Sequence, residues 1–256
     1  MALVLAMTAA GAAWILFLTP LWGEVRMGFF YLTGSITALL AAGAAGAAAG
    51  SYAPDLAGSG RLAVRLSLAL AIATVVWMLL LRFRLRTAAR VVGILTVPLS
   101  VAMLWAFAQL SSQGTAGSFF QLLAGALFTG AVLDGLLLGH WYLTDRKLTR
   151  GPINRMTWLL MAAVAVQLVA LFIGGFSGNE PGSSATSTLN PVLTLSGSAA
   201  LIAIGMTLAT GLIAVFIRLI LKGERATAVQ AATGFFYLAV ITAFTGELAA
   251  MVRFLP

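Results

Sequence analysis

The chain has no cysteine and a single histidine, His140. The first absence excludes disulfides within the chain, thiolate-bound iron–sulfur clusters and a cysteine nucleophile. The second excludes a haem held by two histidines of this chain. Charge is scarce as well: only 9% of the 256 residues are charged, and seven of them are acidic, whereas a soluble domain carries roughly a quarter charged residues. A soluble fold of this size could not cover its surface with so few polar groups. A bilayer removes that requirement, because the outside of a helix bundle can be as apolar as its core.

What the sequence has instead is apolar length, with 61% hydrophobic residues and a mean hydropathy of +1.03. Runs of about 20 residues, enough to cross the hydrocarbon layer, recur near 2–22, 28–50, 62–81, 91–110, 118–143, 156–176, 199–221 and 231–252. These predict an all-α, polytopic transmembrane helical bundle of eight spans. The short linkers make residues 1–256 a single membrane domain. The first run has no positive segment ahead of it and continues into Pro20 and Trp22, so it reads as a retained helix rather than a cleaved signal. Pro98, inside the fourth run, is expected to kink that helix.

The net charge of +8 lies in the short loops beside the spans, where topology and anionic lipid account for it without nucleic acid. The odd-numbered loops hold Arg26, then Arg82, Arg84, Arg86 and Arg90, then Arg146, Lys147, Arg150 and Arg155, then Arg218, Lys222 and Arg225. Against these twelve, the other side has Arg61, Arg65 and Arg253. The positive-inside rule therefore puts the odd loops in the cytoplasm and both termini outside, as expected in a bacterial cytoplasmic (inner) membrane. The longest linker, 177–198, is rich in Ser, Thr, Gly and Pro. It reads as an irregular outer connector, with a lid as the alternative and the stretch near Pro191 apolar enough to lie on the membrane surface.

One pentapeptide, Gly-Phe-Phe-Tyr-Leu, opens both the second span at Gly28 and the last at Gly234. The topology puts both copies at one depth, where aromatic belt chemistry explains them as well as a repeat does. Small residues form two further tracts. Gly125, Gly130, Gly135 and Gly139 recur in the fifth span, and the second span ends in Gly46-xxx-Gly50. Both tracts read as close-packing helix faces.

Ionisable groups within hydrocarbon are costly and therefore mark candidate sites. Asp134 lies in the fifth span near its cytoplasmic end, and Glu247 in the eighth towards the outer end. They are expected in opposite halves of the bilayer, as proton stations or as separate structural hydrogen-bonding points. His140 opens a His140-Trp141-Tyr142 cluster. Six residues from Asp134, it lies about 120° away around the helix and roughly 9 Å along it, so no direct dyad forms. His140 and Tyr142 read either as belt residues or as a site where His140 donates to a quinone carbonyl, relays a proton or supplies one haem ligand. Gln167, in mid-span, is expected to form an interhelical hydrogen bond. The basic loops Arg82–Arg90 and Arg146–Arg155, extended by Glu24, Arg26, Lys222, Glu224 and Arg225, suit lipid headgroups or an acidic soluble subunit. No metal or catalytic motif is present.

The functional expectation is a non-catalytic membrane subunit of a respiratory or other electron-transfer complex, contributing quinone contacts or anchorage. At the level of fold alone, the architecture resembles the eight-helix anchors of molybdenum enzymes that oxidise quinol. A proton-coupled transporter is the alternative. An intramembrane enzyme acting on lipid or prenyl substrates ranks last, because the acids are scattered.

Overall fold

The computed structural model describes residues 1–18, 23–51, 58–111, 114–145, 147–174, 195–223 and 227–254. Among them are eight α-helices and no strand: α1 (Ala2–Leu18), α2 (Met27–Ser51), α3 (Ser59–Arg82), α4 (Arg86–Ala108), α5 (Thr115–Thr144), α6 (Gly151–Gly174), α7 (Leu195–Lys222) and α8 (Ala228–Ala250), with a closing 3-10 turn at Met251–Phe254. Seven of these are long and apolar enough to cross a membrane. Pro20, Trp22, Arg146, Glu224, Arg225 and most of the long linker fall outside the described residues.

α1 is the exception in length. Its 17 described residues reach about 25 Å at 1.5 Å per residue, and residues 19–22 of the predicted run lie outside the described ones. The chain nevertheless crosses here. Met7 lies beside Gly125 in the first half of α5, whereas Gly28 of α2 packs under Trp141 near the end of α5. The first passage therefore joins opposite ends of the bundle, and eight passages bring both chain ends to the same face.

The helices form two rings of four, α1–α4 and α5–α8, each closed by contacts between its first and last helices. The rings meet chiefly along α1 and α5, which run parallel. Sequence explains why these two are central. α1 is apolar on every side, seven of its seventeen residues are Ala or Gly, and twelve are buried. Such a helix has no polar face that must meet water, and its small residues suit it to a central place where several helices approach closely. Its small side chains let backbones meet: a Cβ on Gly11 would lie 1.8 Å from the Ala126 carbonyl oxygen, and one on Gly130 would lie 2.6 Å from Gly11 Cα. Without a hydrophobic drive between helices in lipid, this close approach and its dispersion contacts hold the rings together.

The two glycine tracts behave differently from each other. Gly135 and Gly139 make room for Phe236 and Thr233 of α8. Gly46 and Gly50 have nothing against them among the described residues, whereas Ala41, Ala44 and Ala48 of the same stretch are fully buried, so the α2 tract packs through its alanines rather than through these two glycines. α4 continues through Pro98, with the Thr96 and Ser100 hydroxyls bonded back to the Gly93 and Val97 carbonyls on either side of it. Ser100 also accepts a hydrogen bond from Trp14 Nε1 at 2.7 Å, tying α1 to α4.

The α3–α4 turn is the tightest described. The Leu85 N–H bonds the Leu80 carbonyl and the Arg84 N–H bonds the Leu81 carbonyl, a Schellman closure that needs a left-handed residue at its centre. That residue is Arg84, at φ 60°, where glycine is usual.

Candidate functional site

Two polar centres lie inside the bundle. α5 and α8 run antiparallel, with Gly125 opposite Glu247, Gly135 opposite Phe236 and Gly139 opposite Thr233. In this register Asp134 lies some nine residues from Glu247, about 13 Å along the axis towards the basic end. The two carboxylates are thus in opposite halves of the bundle and form no common site.

Glu247 is buried and accepts a hydrogen bond from Gln167 Nε2 of α6 at 2.8 Å. Its other oxygen, Oε1, occupies the space that a side chain on Gly125 would need, with Met7 Sδ of α1 alongside. Four helices from both rings therefore converge on this carboxylate. Gln121, also buried, lies one turn along α5 from Gly125, on the same side of the helix.

Asp134 is buried to 1% exposure, and neither carboxylate oxygen has a hydrogen-bond partner among the described residues. It shares the stripe of α5 that carries Trp141, seven residues and two turns on, and the Trp141 ring covers Gly28 of α2.

His140 is exposed on the outside of the bundle, away from Asp134. Tyr142 is buried, donates to the Thr149 carbonyl and accepts from the Ile153 N–H at 3.4 Å. It fastens the α5–α6 loop. The same loop is held by Thr149 donating to Glu24, by Arg155 near Glu24 at 3.7 Å, and by Arg26 paired with Asp145 at 2.9 Å. The four candidates His140, Asp134, Glu247 and Tyr142 thus occupy four separate environments. No group of three or more metal-ligating acids and histidines occurs among the described residues.

The basic end carries the rest. Arg82, Arg84, Arg86 and Arg90 are exposed, and none is paired with a carboxylate among the described residues. Lys147 and Arg155 are exposed at the same end, while Arg150 is part-buried and bonds the Gly223 carbonyl. Below the first group, an apolar groove of about 530 Å³ opens between α2 and α3, lined by residues including Ser35, Ala38, Ala42, Val75 and Met78. Sequence reasoning missed this groove. Its α2 wall is low because Ser35, Ala38 and Ala42 recur on one side of the helix.

The two pentapeptide copies lie at one end of the bundle but in unlike surroundings. Gly28 is pressed against Trp141, and Gly234 faces open space. They also sit on α2 and α8, which are not equivalent helices of the two rings.

A bundle of long apolar helices with its cations gathered at one end defines a multi-pass integral membrane protein. No protein-family model, curated protein or solved structure matches the chain.

Proposed function

We propose that the protein is a membrane subunit of an electron-transfer complex, anchoring an acidic soluble partner and contacting a quinone. The observation that carries this reading is the arginine array at the α3–α4 turn, with Arg84 in a left-handed conformation. An L residue there costs roughly 1–2 kcal/mol. Glycine would relieve the strain, so keeping a guanidinium argues for a task, and four exposed arginines without carboxylates suit an acidic surface. The groove between α2 and α3 supports the quinone part. Its volume lies within the range of small-molecule sites, and its Ser35 hydroxyl now rests on Met78 Sδ at 3.7 Å. A quinone carbonyl is a stronger acceptor than that sulfur. His140 is exposed at the same end and open to a partner chain.

The test is purification from native membranes in mild detergent at low salt. A co-purifying subunit with a redox absorbance spectrum, together with quinone in the organic extract, is the expected result. Raising the salt concentration, or replacing the four arginines by glutamine, should release the subunit. A chain that emerges alone and quinone-free at low salt defeats the proposal.

Asp134 favours a second reading, a proton-coupled transporter, since an acid without a partner inside a membrane bundle is retained for a reason other than stability. Proton-driven uptake in vesicles that disappears in Asp134→Asn is its signature.

A further inference from the structure

We infer that Arg218 forms a specific site for the phosphate of an anionic phospholipid at the membrane surface between α6 and α7. Arg218 lies one turn before the end of α7, at the basic end of the bundle. Its Nη1 donates to Asn154 Oδ1 of α6 at 3.0 Å, and its guanidinium stands over the Trp158 ring, 5.4 Å from the centroid. Both partners are neutral. No carboxylate offsets the charge among the described residues, and Nε is buried without an acceptor.

A guanidinium has five donors, and here one is used. The side chain is part-exposed, so its remaining terminal donors open outward. Trp158 is 55% exposed and Leu219, beside Arg218, is 54% exposed, so the outside of this corner is a lipid-facing surface. Desolvating a cation without an anion is costly, whereas a phosphate ester accepts two parallel N–H bonds from an arginine fork.

The site is also held in advance. Asn154 is fixed by its own bond from Nδ2 to the Arg150 carbonyl at 2.9 Å. Trp158 adds a face that attracts the cation and keeps its plane in place. Lys222, exposed one turn further along α7, lies on the same side of the helix and adds a second positive charge. This arrangement differs from that of Arg82, Arg84, Arg86 and Arg90, which have neither a stacking ring nor an orienting amide among the described residues. A phospholipid with net negative charge fits; a zwitterionic headgroup brings its own cation against Arg218 and Lys222.

The test compares delipidated full-length protein titrated with phosphatidylglycerol or phosphatidylcholine, read by native mass spectrometry and by thermal melting. Phosphatidylglycerol should bind and raise the melting temperature of the wild-type protein, with at least about tenfold preference over phosphatidylcholine, the scale of one charge-assisted contact. Arg218→Gln should remove the preference. Arg218→Lys, which keeps the charge but loses the fork, should retain only part of it. Equal binding of the two lipids by wild type overturns the proposal, as does an unchanged preference in Arg218→Gln. The wild-type comparison decides the matter even if a variant does not fold. Inorganic phosphate at millimolar concentration should not reproduce the melting shift; if it does, the site is for the free anion and the lipid assignment fails.

Discussion

Gly11 of α1 and Gly130 of α5 meet backbone to backbone: a Cβ on Gly130 would lie 2.3 Å from the Gly11 carbonyl carbon, and one on Gly11 would lie 3.0 Å from Gly130 Cα. No side-chain rotation relieves such a clash, because the obstructing atoms are main chain. The contact joins the two four-helix rings at the centre of the molecule.

Gly11→Ala and Gly130→Ala are therefore expected to destabilise the protein by about 1–3 kcal/mol each, the usual cost of overpacking. For a chain of this size that lowers the melting temperature by roughly 2–4 °C per kcal/mol. Gly46→Ala and Gly50→Ala, which face open space, should be neutral or stabilising by up to about 1 kcal/mol through helix propensity. Thermal melting in detergent separates the pairs. Equal losses in both would refute the packing described here.

The Glu247–Gln167 bond joins α8 to α6 across the core. A double-mutant cycle with Glu247→Ala and Gln167→Ala should give a coupling of about 0.6–1.7 kcal/mol, the range for hydrogen bonds between membrane helices. Additive losses would show that the bond contributes nothing to stability.

Asp134 is predicted to behave in the opposite way. A buried group without a partner weighs against the folded state, so replacing it with an apolar residue removes a desolvation cost of about 1–3 kcal/mol. Asp134→Leu should then melt at a higher temperature than wild type. A lower melting temperature would mean that the carboxyl group holds the bundle together.

Arg84→Gly is expected to stabilise the protein by about 1 kcal/mol, because glycine adopts the left-handed conformation without penalty. The same change should weaken docking of an acidic partner. Stability measured by melting and binding measured against salt concentration would thus move in opposite directions. A destabilised Arg84→Gly would refute the strain assigned to this turn.

The sequence disclosed the helices well and the site poorly, for identifiable reasons. Apolar runs long enough to span are a strong local signal, and seven of the eight helices contain nearly all of the expected run, extending up to five residues further at one end. Of the first run, Ala2–Leu18 is helical, and its last four residues lie outside the described ones. Helix direction then fixed the relative depths of Asp134 and Glu247. Which helices touch is another matter. Gln167 was legible as an interhelical donor, yet its acceptor lies 80 residues away, and no periodicity in either helix points to the other. The glycines show the same asymmetry. Gly46-xxx-Gly50 carries the conventional packing spacing and packs against nothing here, while the decisive Gly11 stands alone in a run of alanines. A glycine's role depends on the helix opposite, which composition does not specify.

The burial of α1 also bears on how the molecule is made. A ribosome delivers this helix before the other seven, and its main neighbour, α5, emerges only about a hundred residues later. Until then α1 has only its partners in the first ring, chiefly α2 and α4, with Phe17 against Trp77 of α3. The largest contact of α1 is thus completed only once the second ring has begun to be made.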